Sequence, residues 1–213
     1  LRARVRPQGM WNAITADAGG LRDPTVQSNA TSWLYACFTV VSFVAPISTN
    51  IAGPRVTLFC GCLGYIVYVV ALLLYTEQLV DGAVVVAGGA INGVAAGLLW
   101  CAQGQLIMSY PSRESKGRLA AVFWVIFNLG GVVGGVLWMA INFSSTTATA
   151  STSTFVAFAA VMAAGAALTS GLQPLRCVVR PDGTLVPPPI RTHVGAELRA
   201  IARLGADWRA VCL

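Results

Sequence analysis

The side chains of this sequence that could do chemistry within its apolar stretches are amides and indoles. Asn92 and Gln103 are eleven residues apart, which places them about 20° apart on one face of an α-helix, and Trp100 lies close to that face. Trp124 and Asn128 share a face of the next apolar stretch. Such groups offer hydrogen-bond donors and acceptors without a fixed charge, which suits a cavity for a neutral or zwitterionic solute. They would serve equally well as structural hydrogen bonds between helices, worth about 0.6 kcal/mol each in a membrane.

Catalytic and metal-binding arrangements are missing from the same stretches. The sequence has one histidine and six cysteines, with a C-x-C but no C-x-x-C spacing. No Ser/His/Asp, Cys/His or paired-carboxylate pattern occurs in the apolar runs. The pattern therefore predicts no enzyme, no metal site and no cofactor.

Two long apolar runs joined by a short basic loop must position the amides. The runs cover residues 82–110 and 119–143, and neither contains a charged residue. Each exceeds the ~20 apolar residues that cross ~30 Å of hydrocarbon, where backbone groups must be satisfied within the segment. They therefore predict two transmembrane helices. Because amides are costly at membrane depth, we expect both amide-bearing faces to point into a helix bundle.

Three further apolar stretches, at 31–52, 56–76 and 155–172, also predict membrane spans. Residues 31–173 then form a transmembrane block. Residues 1–30 are interpreted as the remnant of a truncated first helix followed by an outer loop. Residues 174–213 predict a basic linker with an amphipathic helix, which either lies on the membrane surface or packs as an ordinary helix. The predicted fold is an all-α polytopic membrane protein, since 10% of residues are charged against about 25% in soluble domains.

Glycines recur at four-residue spacing along both central runs. Small residues at this spacing let helix backbones approach closely, and close packing drives association in lipid. We expect helix packing to be the role of Gly89, Gly93, Gly97, Gly130, Gly131, Gly134 and Gly135.

Basic residues are distributed unequally over the predicted loops. When loops are assigned to alternate sides, all of the 14 lysines and arginines except Arg22 fall on the side of the N-terminus, the 111–118 loop and the tail. The positive-inside rule places that side in the cytosol. The basic residues thus flank membrane spans, and the expected partner is a lipid bilayer rather than nucleic acid.

Several motifs resemble the Unc-93-like branch of the major facilitator superfamily. The resemblance covers nearly the whole chain and is most specific in L-W-x-x-Q-G, residues 99–104. The segments that carry it are 9–13, 50–55, 97–104, 110–111, 116–118, 124–130 and 179–186.

The resemblance implies a twelve-helix protein whose two halves alternate access around a central cavity. This chain would be the N-terminal six-helix half, with its first helix truncated. The resemblance also puts Asn12 on the wall opposite the fourth helix, which completes the candidate cavity set of Asn12, Asn92, Trp100, Gln103, Trp124 and Asn128. The cytosolic-loop signature residues are Asn50, Gly53, Arg55, Arg113, Lys116 and Arg118.

The sequence departs from the superfamily pattern at two places. Asn50 stands where the loop signature has an aspartate, so the gating charge pair expected from that aspartate is absent. The glycine-rich segment 130–135 is similar to an antiporter motif but lacks its proline. No carboxylate or base lies within the second to sixth predicted spans, so proton coupling would need Asp17 or the missing half.

Two functions are compatible with these features. One is a transporter that moves a small solute by alternating access, and the other is a non-transporting regulator or chaperone of ion channels or receptors. The expected partners are the lipid bilayer and an unknown small solute in the first case, and another membrane protein in the second. A third interpretation is a non-functional fragment.

Overall fold

Five long apolar helices make up most of the chain that the computed structural model describes, which comprises residues 21, 23–112, 114–142, 152–173, 177–179, 183–186, 195, 196, 199 and 203. The helices are α1 (Pro24–Ala52), α2 (Pro54–Thr76), α3 (Gly82–Ser109), α4 (Lys116–Asn142) and α5 (Thr152–Ser170). Each is long and apolar enough to cross a membrane. The predicted all-α polytopic membrane class is therefore confirmed. The predicted first-helix remnant and most of the predicted tail helix lie outside the described residues.

Helix α1 begins at Pro24, well before the apolar run predicted from residue 31. The Asp23 side chain accepts a hydrogen bond from the backbone N–H of Thr25 at 2.8 Å, and proline occupies the first helical position. Both features favour a helix start, and neither depends on hydropathy. Helices α4 and α5 likewise begin at Lys116 and Thr152 rather than at residues 119 and 155. Hydropathy marks the membrane-embedded part of a helix, and the helix itself extends into polar residues.

The helix α3 is the centre of the bundle. Helices α1 and α2 both pack along its length but touch each other little, and α5 packs on α2. A Cβ atom at Gly89 would lie 2.5 Å from the carbonyl oxygen of Ala30, and one at Gly97 would lie 2.9 Å from Val41 Cγ1. The face of α3 that carries these glycines is therefore in backbone contact with α1, as close packing in lipid requires.

A second close approach joins α2 to α3. A Cβ atom at Gly61 would lie 2.7 Å from Leu99 Cβ, and one at Gly64 would collide with Ala95. Gly61 and Gly64 belong to α2 and Ala95 belongs to α3, so small residues of both helices permit this contact. Since α1 and α2 approach α3 on different faces, a cleft remains between them.

Helix α4 makes few contacts at its glycines in the described structure. No described atom lies within 4 Å of a Cβ atom placed at Gly130, Gly131 or Gly135, and a Cβ atom at Gly134 would only reach Phe158 Cε1 at 3.8 Å. The described structure gives α4 few neighbours, so the packing role expected of these four glycines stays a prediction. The spacing of small residues shows where a helix can be approached and does not supply a partner.

The two ends of the bundle differ in charge. Asp23, Glu77 and Asp81 lie at the end where α1 and α3 begin, and Thr152 of α5 donates a hydrogen bond to Glu77 there. At the opposite end the Arg55 guanidinium donates to the carbonyl oxygen of Ser170, the last residue of α5. A cation is favoured at a helix C-terminus. Polar contacts thus hold α5 to α2 at both of its ends.

The tail begins with a short paired segment. Val179 and Leu185 form an antiparallel bridge, and the backbone N–H of Val186 donates to the carbonyl of Val178 at 3.1 Å. Gly183, with a φ of 77°, lies in the turn. Val186 is buried, so this part of the tail packs against the protein.

Candidate functional site

A cavity of about 320 Å³ lies in the cleft between α1 and α2, with α3 as its floor. Its position follows from the packing, because α1 and α2 both approach α3 closely and leave space between themselves. Helix α3 contributes Asn92, Ala96 and Trp100 to the lining, and Met162 of α5 closes one side. Two of the six candidate residues, Asn92 and Trp100, therefore line one cavity.

Asn92 contributes the only side-chain amide among the described residues that line the cavity. The side chain is 4% exposed, and its Oδ1 atom has no hydrogen-bond partner in the described part of the chain. A buried polar group without a partner costs about 1–3 kcal/mol. The Asn92 oxygen is therefore a buried acceptor that a bound molecule could satisfy.

Small residues around Asn92 explain its burial. Gly88, Gly89 and Gly93 surround it in the sequence, and all three lie against neighbouring helices. The backbones of α1 and α2 can consequently approach α3 and enclose the amide. Asn92 lies ten residues after Gly82, where α3 begins, which is about 15 Å along the helix and about half of the hydrocarbon thickness.

The walls of the cavity are mainly aromatic and aliphatic. Helix α1 presents Tyr35 and Phe38, and α2 presents Tyr65 and Tyr68. The full wall set from these two helices is Thr31, Leu34, Tyr35, Phe38, Tyr65, Tyr68, Val69 and Leu72. Among the described residues that line the cavity, none is Asp, Glu, Lys, Arg or His.

The sequence analysis did not identify these wall residues. The available signal was their helical spacing, since residues 31, 34, 35 and 38 share one face of α1 and residues 65, 68, 69 and 72 share one face of α2. That signal is weak in a membrane protein, because apolar and aromatic side chains face both lipid and protein.

Trp100 also joins the cavity to α4. Its ring lies 5.3 Å from the ring of Phe127 in an edge-to-face arrangement and 6.4 Å from that of Trp124. Phe123 extends the same aromatic cluster. Aromatic pairs at these distances attract each other by about 0.5–1.5 kcal/mol. One side chain therefore contributes both to the cavity floor and to the limited α3–α4 contact.

Trp124 and Asn128 lie elsewhere than expected. Trp124 is 52% exposed, and the Asn128 side chain donates from Nδ2 to the Trp124 carbonyl at 2.7 Å. Their face of α4 was expected to point into the bundle, but in the described structure it is exposed. The bond within the helix uses one of the two N–H donors of the Asn128 amide, and few described residues pack against α4. Gln103 is half-buried and outside the lining, and Asn12 lies outside the described residues.

The loop-signature residues occupy the basic end of the bundle. Gly53 alone connects α1 to α2, with a φ of 83° that favours glycine. Arg55 contacts the end of α5 as described above, while Lys116 begins α4 and is exposed. Asn50 is half-buried near the end of α1, and Arg113 lies outside the described residues.

A second, shallower cavity of about 370 Å³ lies at this end. Tyr110, Pro111 and Arg118 line it together with Val178 and Val179 of the tail. Burial raises the pKa of the Tyr110 phenol above its ordinary value. A tyrosine phenol is protonated at neutral pH even at its ordinary pKa, so this group can donate a hydrogen bond.

Comparison with known proteins gives a consistent set of relatives. A family model described as "Ion channel regulatory protein UNC-93" matches residues 27–172. The UNC93-like proteins 1 and 2 of Arabidopsis thaliana are each 38% identical over 207 residues, covering 96% of this chain and 45% of the relative. An UNC93-like protein of Schizosaccharomyces pombe is 37% identical over 179 residues, covering 84% of this chain and 35% of the relative.

The chain spans less than half the length of these curated relatives. No solved structure matches it.

Proposed function

Since this chain belongs to the UNC-93 family, we propose that it forms part of a multi-pass membrane transporter. The transporter would bind a small solute in the cavity between α1, α2 and α3 and move it by alternating access. The observation that carries the proposal is the buried Asn92 amide, whose oxygen has no partner and which lines that cavity. A bound solute would supply the missing hydrogen bond.

The depth of the cavity also supports transport. Asn92 lies near the expected midplane of the hydrocarbon region, about 15 Å along α3. Transporters that alternate access bind their solutes near the midplane, because both sides must reach the same site in turn. A purely structural amide has no such requirement of depth.

The proposal extends to architecture and orientation. The chain would be the N-terminal six-helix half of a major-facilitator protein, with residues 1–30 as the incomplete first helix and outer loop. Residues 31–173 would be the membrane block, and residues 174–213 a cytosolic linker. The N-terminus, the 111–118 loop and the tail would face the cytosol, since Arg55, Lys116 and Arg118 lie at one end and Glu77 and Asp81 at the other.

A second candidate function is regulation of another membrane protein. The family description names an ion channel regulatory role, and α4 offers a surface for it. Its side chains are largely exposed, with Val125 at 67% and Ile126 at 63%. In a membrane this surface faces lipid, the remainder of a longer chain, or a protein partner. A regulator would use that surface and would not need the cavity.

A cavity-filling substitution separates the two functions. Ala96 is buried and lines the cavity, so Ala96→Trp should occupy the space with an indole ring. Ala87→Trp is the matched control, because Ala87 is exposed on the same helix. The complete protein is expressed in cells in each form, and accumulated small molecules are profiled by mass spectrometry.

We expect the wild type and Ala87→Trp to accumulate the same solute and Ala96→Trp to lose that accumulation at equal levels of folded protein. Unchanged accumulation in folded Ala96→Trp would show that the cavity is not the solute path. Altered currents of a co-expressed channel in all three forms, without solute accumulation, would favour the regulator.

A further inference from the structure

The chemistry of the cavity walls specifies the class of its ligand more narrowly than the proposed function does. We infer that the cavity between α1, α2 and α3 binds an uncharged molecule of about two fused rings that carries a hydrogen-bond donor on its edge. The inference rests on the proposed solute-binding role of this cavity. It combines three observations: the charge of the lining, the volume of the cavity, and the kind of side chain around the Asn92 amide.

The lining excludes a permanently charged ligand. The polar groups that the described lining offers are hydroxyls, the Trp100 indole N–H and the Asn92 amide, without an ionised side chain. Moving an ion from water into such a site without a counter-charge is strongly unfavourable. An inorganic ion would also need several oxygen ligands converging on one point, and the walls present mostly aromatic and aliphatic surface.

The volume sets the size. A protein cavity of about 150 Å³ lined by apolar side chains holds one benzene molecule. The present cavity, at about 320 Å³, has roughly twice that space. One bicyclic molecule fills it, whereas a single small ring would leave much of the wall uncontacted. Unfilled space forfeits dispersion contacts, so affinity should rise with ring number up to this size.

The walls favour a flat, π-rich molecule. Tyr35 and Phe38 of α1 face Tyr65 and Tyr68 of α2 across the cleft, and Trp100 lies on the floor. Aromatic rings attract a bound ring through stacked and edge-to-face contacts, each worth about 0.5–1.5 kcal/mol in proteins. Because α1 and α2 form the two walls of the cleft, a planar ligand between them would contact both helices at once.

The Asn92 amide determines which group the edge of the ligand must carry. Its oxygen is a hydrogen-bond acceptor that no described group satisfies. A ligand N–H or O–H group would satisfy it, and a ligand of the same shape without a donor would leave it unpaired. Since the Asn92 oxygen is a buried acceptor of the lining without a described partner, the site should discriminate between ligands of one shape mainly through that hydrogen bond.

Three probes test the inference. Indole has two fused rings and one N–H donor, 1-methylindole has nearly the same shape without the donor, and tetramethylammonium tests a cation held by aromatic faces. Binding is measured by equilibrium dialysis of the full chain in lipid nanodiscs, with empty nanodiscs subtracted to remove partitioning into lipid. The variants are Asn92→Leu and the matched Asn128→Leu, which removes an exposed amide of α4 that is bonded within its own helix.

We expect indole to bind about tenfold more tightly than 1-methylindole, which corresponds to about 1.4 kcal/mol, and tetramethylammonium not to bind. Asn92→Leu should abolish the difference between the two indoles, and Asn128→Leu should preserve it. Ala96→Trp should prevent the binding of both indoles. This variant tests whether the indoles occupy the cavity even if Asn92→Leu folds poorly.

Each contrary result has a separate meaning. Equal binding of both indoles, displaced by Ala96→Trp, would overturn the donor requirement while leaving the solute-binding cavity in place. Preferred binding of tetramethylammonium would overturn the uncharged class in the same way. Absence of binding by all three probes would overturn the ligand class, and the accumulation assay with Ala96→Trp would then decide the proposed function by itself.

Discussion

Replacing Asn92 by leucine should stabilise the ligand-free protein. The amide is 4% exposed, and its oxygen has no partner in the described structure. A buried polar group in that state costs about 1–3 kcal/mol, and an apolar group of similar shape removes that cost. Leucine has the same number of side-chain heavy atoms as asparagine, with two methyl groups in place of the amide oxygen and nitrogen, and the adjoining space of about 320 Å³ can take their larger size. Overpacking, which costs about 1–3 kcal/mol in a filled core, should therefore be small.

We expect Asn92→Leu to raise the free energy of unfolding by about 1–2 kcal/mol. The assay is equilibrium unfolding by SDS from mixed micelles, followed by tryptophan fluorescence or circular dichroism. Asn128→Leu is the matched control. Its amide is exposed and already donates to the Trp124 carbonyl, so the change should be within about 0.5 kcal/mol of zero.

The opposite result would refute the reasoning. If Asn92 forms a hydrogen bond between helices, its removal should cost about 0.6 kcal/mol or more, and Asn92→Leu would be less stable than the wild type. A stabilised variant that also loses the preference for indole over 1-methylindole would show that the protein keeps a destabilising amide for its ligand. Functional sites in proteins commonly carry such a cost in stability.

Two further predictions concern packing and orientation. Gly93→Leu should lower the free energy of unfolding by about 3 kcal/mol or more, because a side chain there meets the backbone of Leu34 on α1. Gly104→Leu on the same helix, where no described atom lies within 4 Å, should unfold at nearly the wild-type SDS concentration. Equal losses of folded protein in both variants would show that α1 does not contact the glycine stripe of α3. In a cysteine-free background, Ser115→Cys should react with an impermeant maleimide only after the cells are permeabilised, whereas Gln78→Cys should react in intact cells. The reverse pattern would show that the proposed orientation is inverted.

The helices that cross the membrane were predictable because their cause is local. Lipid cannot satisfy backbone groups, so a long apolar run must be helical whatever surrounds it. The membrane class is confirmed by five helices that are long and apolar enough to cross a membrane, and the Unc-93-like resemblance is confirmed by the family match. The helix starts were less accurate, because Pro24 and Lys116 begin helices in polar sequence where hydropathy has no signal.

The candidate site was predictable only in part. Asn92 and Trp100 were singled out as polar or amphipathic groups in an apolar run, and the structure places both at the cavity. Trp124 and Asn128 satisfied the same criterion but lie on an exposed face of α4. An amide in an apolar run must find a partner, but its own helix can provide that partner, and the sequence does not distinguish the two cases.

The sequence by itself determined which segments enter the membrane, where small residues permit close approach, and that the spans 31–173 carry few ionisable groups. Tertiary structure alone decided which permitted approaches are used. Gly89, Gly93 and Gly97 lie against α1, whereas Gly130, Gly131 and Gly135 contact no described helix. The physical reason is that lipid solvates an apolar helix face about as well as protein does. Apolarity therefore places a segment in the membrane, and only the fit between particular helix surfaces determines which faces meet and what space they enclose.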